Sequence, residues 1–374
     1  MTRAFRIGRI SGIDIEVDWT WFIVFFILAL ALSRGLLADR LPDLSLGARW
    51  LLALVTTLLF FGSVLAHELA HSLVAVRNGL GITGITLFIF GGVSKLTDEP
   101  KSPGVELKVA IAGPATSLGL SVVFLLLAQI LKVAPGSSVP VTVFWYLGWA
   151  NGFLAIFNLL PGFPLDGGRV VRAGLWGGLM NLTEATRVAS GLGQGLGVLM
   201  IAAGILLFVG ALPWNGLMLA FMGWFLIQAA QASYQQLVVR QALSVVPVSS
   251  IMTRGVQSVP AGTTLDQVMH EYVMGYNHPA FPVMEGERVV GLLCLADIRG
   301  IPRERWGEAT AEEAAPALSE QHTIAPGASA WEALVRMTSG DCGRLLVLEN
   351  GRLLGIISRT DIMRAMRIRF ELGV

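Results

Sequence analysis

The sequence predicts a polytopic α-helical membrane protein, about six transmembrane helices with a short membrane-associated β hairpin, followed by a soluble α/β portion. Three observations predict it. The 374 residues are 54% hydrophobic and only 14% charged, where a soluble chain of this length would be about a quarter charged. The charge is unevenly divided: residues 1–240 hold 15 Lys/Arg and 11 Asp/Glu, whereas residues 241–374 hold 12 and 15. Uncharged runs long enough to cross a bilayer, about 20 residues, occur only in the first portion. A disordered chain, a strongly basic nucleic-acid binder and a disulfide-stapled secreted module are all excluded by this composition.

The first expected span runs from Trp19 to Leu37. Arg3, Arg6 and Arg9 precede it, but Asp14, Glu16 and Asp18 intervene and no small-residue cleavage site follows, so it reads as a retained span rather than a signal peptide. The second starts at Trp50, is uncharged to Ala66 and continues past Glu68 to Val76. The third covers Val109 to Leu131 between two lysines, and the fourth runs from Val141 to Leu160. The run from Val188 to Val239 has 52 residues and must turn, at Leu212-Pro213-Trp214-Asn215-Gly216, which makes six spans. Between the second and third, Leu80 to Leu96 is too short and too β-branched for a spanning helix and predicts a strand or hairpin, which survives at membrane depth only if protein covers it or it lines a wet cavity.

An even number of spans puts both termini on one side, and Arg77, Lys95, Lys101 and Lys108 with the N-terminal arginines make that side cytoplasmic. The two cysteines, Cys294 and Cys342, lie in the polar third and suggest no disulfide framework, which agrees with that address. The absence of organelle-targeting signals suits a bacterial or archaeal plasma membrane.

Few ionisable groups lie within the spans: His67, Glu68 and His71 in the second, and Asp166 just past the fourth. Such groups are costly in lipid and are functional candidates by default. His67-Glu68-Leu69-Ala70-His71 is an H-E-x-x-H pattern. Residues four apart share a helix face, so both imidazoles reach one ion while the glutamate stands beside it. A catalytic zinc takes three protein ligands and leaves a fourth position open. Asp166, in a segment broken by Pro161, Gly162, Pro164, Gly167 and Gly168, is the candidate third donor at similar depth.

These motifs resemble the site-2 protease family of intramembrane zinc metalloproteases. The resemblance rests on H-E-x-x-H at 67–71, N-x-x-P-x-x-x-x-D-G from Asn158 to Gly167, Phe90-Gly91-Gly92-Val93 and Ala112-Gly113-Pro114, and covers roughly residues 1–235. It implies that His67, His71 and Asp166 bind one Zn2+ per chain, that Glu68 is the general base, and that Asn158 helps to hold the substrate or its oxyanion, with helix capping the plainer role for Asn158. An unwound substrate is expected to add as a strand to the apolar segment Ile85 to Phe90.

Residues 241–374 repeat at an offset of 64 positions: Val283 to Ile298 aligns with Val347 to Ile362, each copy reading as strand, turn, strand and then a helix opened by an aspartate. Amphipathic helices are expected at Leu265 to Val273 and Trp331 to Met337. The pair resembles tandem CBS domains, with repeats at 241–308 and 309–374 after a transmembrane domain at 1–240. That resemblance implies an adenine nucleotide held by Ser358, Asp361 and Asp297, although Cys294 replaces the hydroxyl residue of the first copy and both aspartates could simply be N-caps. A homodimer is a further expectation.

The function expected is zinc-dependent endoproteolysis of a transmembrane protein substrate in the lipid bilayer, near its cytoplasmic end, regulated by or docked through the CBS pair. The alternative is a CBS-gated membrane metal transporter with His67, His71 and Asp166 as its site. Transport needs polar groups along a pathway, whereas these cluster at one depth.

Overall fold

The strands Phe5–Ile10 (β1) and Ile13–Val17 (β2) pair antiparallel about Ser11-Gly12, whose φ angles of 51° and 84° are the left-handed pair that a two-residue hairpin turn requires. In the computed structural model, residues 4–89, 91–96, 99–210, 212–276, 278–339 and 342–372 are described. Two compact units result, Met1–Gln235 and Gln236–Val374.

In the first unit, Asp18 accepts from the Thr20 N–H at 2.9 Å and caps α1 (Trp19–Arg34), which is continued by the short α2 (Leu36–Arg40). α3 (Leu46–Arg77) begins at a Ser45 cap and is followed by β3 (Ile82–Phe88) and β4 (Gly91–Leu96). Then come α4 (Pro103–Leu131), α5 (Ser138–Asn158), α6 (Asp166–Gly178), α7 (Leu182–Val209) and α8 (Pro213–Ser244). Six of these segments are long and apolar enough to cross a membrane. Their outer faces carry Leu58, Leu126, Ile130, Leu199 and Leu206, each more than half exposed. Such faces are stable only against lipid. The first unit is therefore a multi-pass membrane domain.

Several helices begin before the uncharged runs, because polar residues prolong a helix into the interface without interrupting its hydrogen bonds, whereas α4 ends at Leu131 as expected and α5 ends at Asn158, two residues short of Leu160. α3 starts four residues before the expected Trp50, and α4 starts at Pro103 rather than Val109. That extension brings Glu106 into the helix and buries it completely. The long apolar run does turn, between the end of α7 at Val209 and the start of α8 at Pro213, a little before the expected 212–216, of which 213–216 form the first turn of α8.

The expected hairpin is half of a larger sheet ordered β1-β2-β3-β4, in which β2 and β3 run parallel, Ile15 opposite Ile85. This corrects the expectation that Ile85 to Phe90 is an open edge. β3 has neighbours on both sides, and the outer strand is β4, paired through Thr86–Val93. Phe90 lies outside the described residues.

The second unit contains two three-stranded sheets, β5 (Val259–Pro260), β6 (Ala280–Glu285) and β7 (Arg288–Cys294), then β8 (Thr323–Ile324), β9 (Arg344–Glu349) and β10 (Arg352–Ser358). The bounds of β6 and β7 plus 64 are those of β9 and β10, and the core residues Phe281, Val283, Leu293 and Ile298 map onto Leu345, Val347, Ile357 and Ile362. A third core joins the repeats through Leu292, Val289, Leu346 and Ile356. The helix expected at 265–273 continues through a π-helical turn to Tyr276, and the other spans Ala330–Ser339. One expectation fails: Cys294 and Cys342 form a disulfide between the repeats. Spacing alone could not show this, since the two are 48 residues apart and meet only when the third core forms.

Candidate metal centre

α3 presents His67, Glu68 and His71 on one side of a cavity of about 540 Å³, and Asp166, the first residue of α6, enters from another. His67 Nε2 lies 3.2 Å from Asp166 Oδ2, His71 Nε2 lies 3.1 Å from the same oxygen, and the two nitrogens are 3.1 Å apart. His71 Nδ1 is 2.6 Å from the Val109 carbonyl. A carbonyl only accepts, so Nδ1 carries a proton, and in the neutral ring Nε2 is the lone pair free to bind an ion. His67 Nδ1 meets Ser117 Oγ at 2.9 Å, which holds the first ring's orientation and can accept from Nδ1–H. Three potential ligand atoms thus converge on one point.

That donor set fits a metal ion. Ligand bonds of about 2.0–2.1 Å in a tetrahedral zinc site put ligand atoms about 3.3 Å apart, close to the observed spacing. Among the described residues, His67, His71 and Asp166 are the group able to hold an ion. Room for it depends on Gly113 of α4, where a Cβ would stand 2.2 Å from His71 Nε2 and 2.5 Å from His67 Nε2.

Glu68 points to the other side, toward the sheet. Ser94 Oγ of β4 donates to its Oε2 at 3.1 Å, and a Cβ on Gly92 would fall 2.4 Å from its Cγ. The outer strand therefore lies directly against this carboxylate. Asn158 also lines the cavity, and its Nδ2 donates to Leu154 O within its own helix at 3.0 Å.

The glycines after Asp166 explain how α6 sits so close. A Cβ on Gly167 or Gly168 would lie within 2.4 Å of the backbone at 159–163. α6 is further tied to α4 by Arg172, whose Nε donates to Glu106 Oε1 at 2.6 Å and whose guanidinium stacks on Phe163. Ser94, Val109, Gly113, Ser117, Glu106, Arg169 and Arg172 escaped the sequence reading as site residues. Only Gly113 left a signal, in its Ala-Gly-Pro segment.

The nucleotide candidates are not brought together. Asp361 Oδ2 accepts from the Ser358 N–H at 3.0 Å and Oγ at 2.6 Å, and Asp297 accepts from the Cys294 N–H at 2.8 Å, so each aspartate is the third helical residue bonding back to the cap position, not the N-cap itself. Asp297 lines a cleft of about 240 Å³ with Arg336, Arg344 and the disulfide, whereas Ser358 and Asp361 lie outside its lining.

Comparison with known proteins agrees with this architecture. The family model for peptidase family M50 matches residues 55–140 and 129–203, and that for the CBS domain matches 248–304 and 310–368. A Mycobacterium tuberculosis protein named as a zinc metalloprotease, Rip3, is 33% identical over 370 residues, 98% of this chain and 94% of its own. A Synechocystis protein named in the same way is 33% identical over 374 residues, 98% of this chain and 96% of its own. The solved site-2 protease from Methanocaldococcus jannaschii is 29% identical, with a TM-score of 0.44, over 62% of this chain and 95% of that one. The chain belongs to peptidase family M50, the site-2 protease family, and is a multi-pass zinc metalloprotease followed by a tandem CBS unit.

Proposed function

We propose that the chain is an intramembrane endopeptidase that cuts a membrane-spanning protein near its cytoplasmic end. The observation that carries this reading is the meeting of two imidazole nitrogens and a carboxylate oxygen beside a separate carboxylate, in a cavity within apolar helices. His67, His71 and Asp166 hold the zinc. When bound, zinc supplies an activated water and polarises the scissile carbonyl.

The remaining steps belong to the chain itself. Glu68, oriented by Ser94, takes a proton from the attacking water and returns it to the leaving amine. The water oxygen ends in the new carboxylate and both its protons end on the new amine. An unwound substrate adds beside β4, where main-chain hydrogen bonds hold it against Glu68 with little demand on sequence. Asn158 contributes its second amide hydrogen to the bound backbone.

The CBS unit docks a partner or senses an adenine nucleotide in the cleft beside Asp297, and a pair of chains forms through it. Both termini face the cytoplasm, supported by the distribution of Arg and Lys. The paired cysteines no longer add to that argument.

The test is zinc per chain in detergent-purified protein for the native chain and the variants His71→Ala, Asp166→Ala and Glu68→Gln. Near-stoichiometric zinc, lost in the first two variants and kept in Glu68→Gln, is expected. Equal zinc in all four, or none in the native chain, overturns the reading.

A further inference from the structure

Two arginines lie one turn apart on α6, and their surroundings differ. Arg172 is committed, through its ion pair with Glu106 and its stacking on Phe163. Arg169 lines the catalytic cavity and, among the described residues, its guanidinium makes no hydrogen bond and no ion pair. It follows the Asp166 ligand by three residues and so shares its helix face. The carboxylates of Asp166, Glu106 and Glu68 all lie within electrostatic reach of it.

The charges of the site make this arginine conspicuous. Zinc offsets Asp166 and Glu68, and Arg172 offsets Glu106. Arg169 is then a positive charge beyond those pairs, in a cavity whose wall, apart from the metal-site residues, Ser94 and Asn158, is formed by residues such as Val64, Leu154, Phe157 and Leu226. A guanidinium stays protonated, so it cannot escape the cost of an apolar setting by losing its proton. That cost is offset in part by the carboxylates within reach of Arg169, and it falls further when negative charge develops beside the guanidinium itself. Attack of water on a peptide carbonyl moves negative charge into the reach of the guanidinium: Glu68 is neutralised as it takes the proton, and the charge it loses reappears on the oxygen of the tetrahedral adduct. Asn158, the other donor at hand, already spends one amide hydrogen on Leu154.

We propose that Arg169 is a catalytic residue that donates to the oxyanion of the tetrahedral adduct. The proposal rests on the endopeptidase reading. The guanidinium neutralises charge that exists only after attack, so its contribution appears in the transition state and not in substrate binding. As the adduct collapses, the C–N bond breaks, Glu68 passes its proton to the amine nitrogen, and the oxygen's charge is lost from Arg169 to the departing carboxylate.

The experiment compares native protein, Arg169→Met, Arg169→Lys and Glu68→Gln in detergent. The substrate is a quenched fluorescent peptide of one apolar segment with a central Gly-Pro break, and its phosphinic analogue mimics the tetrahedral anion. Arg169→Met should retain native zinc, lose about 10²–10³-fold in kcat with KM changed less than about threefold, and bind the phosphinic peptide weaker by a similar factor. Arg169→Lys should recover part of the loss, and added guanidinium ion should restore part of the activity of Arg169→Met, which a structural role would not allow. Unchanged kcat, loss of zinc, or a raised KM at constant kcat overturns the proposal. Should the native chain fail to cleave this peptide, equal phosphinate affinity in native and Arg169→Met overturns it as well. Native-level cleavage by Glu68→Gln would instead sink the endopeptidase reading itself.

Discussion

Gly113 shows how a residue without a side chain decides the chemistry of two that have one. A methyl group there would occupy the space between the imidazoles, so Gly113→Ala should lower zinc affinity by more than about tenfold, within the 10–100-fold range of changes around a metal site. Gly119→Ala on the same helix faces open space and should retain native zinc in the same elemental analysis. Ser94→Ala removes a hydrogen bond to Glu68 but no ligand. It should lower kcat about tenfold, the scale of a charged hydrogen bond, with zinc unchanged. The ligands were legible because two histidines four apart must share a helix face and because a carboxylate at membrane depth is rare. Their supports were not: Val109, Gly113 and Ser117 lie 38–50 residues from the histidines they orient, on another helix, and no local rule relates them.

At the scale of elements, the bilayer made the sequence readable. Its thickness sets helix length, so uncharged runs located all six spans to within a few residues. The sheet was half legible. β3 and β4 showed as β-branched residues too few to span, whereas β1 and β2 are short and lie among charges, and the β2–β3 pairing joins residues 70 apart. α6 was hidden by its own start, since Asp-Gly-Gly reads as a turn until the packing of its glycines against 159–163 is known. The pairing of α6 with α4 gives a prediction at this scale. Glu106→Ala leaves Arg172 buried without its partner, which costs about 3–5 kcal/mol, whereas apolar replacement of both residues should cost much less. Thermal unfolding of the two variants in detergent distinguishes these outcomes.

For the whole molecule, the first unit contains all residues that converge on the cavity, and the second contains its own three cores. Removal of residues 236–374 should therefore leave zinc content near native. A changed cleavage rate in that truncated chain would assign regulation to the CBS unit, and an unchanged rate would count against it. The repeat was fully legible, because duplication preserves strand register and the offset of 64 survives in every strand bound of the hairpins. The disulfide was not, because pairing is a property of the assembled third core.

Since Cys294 and Cys342 enclose the connection between the repeats, a single peptide-bond break anywhere between them leaves one covalent object. Protein nicked in 295–341 should migrate as a full-length chain on a non-reducing gel and part into two fragments once a thiol is added. The segment from Cys294 to Cys342 is covalently a ring, with the chain entering and leaving at its closure.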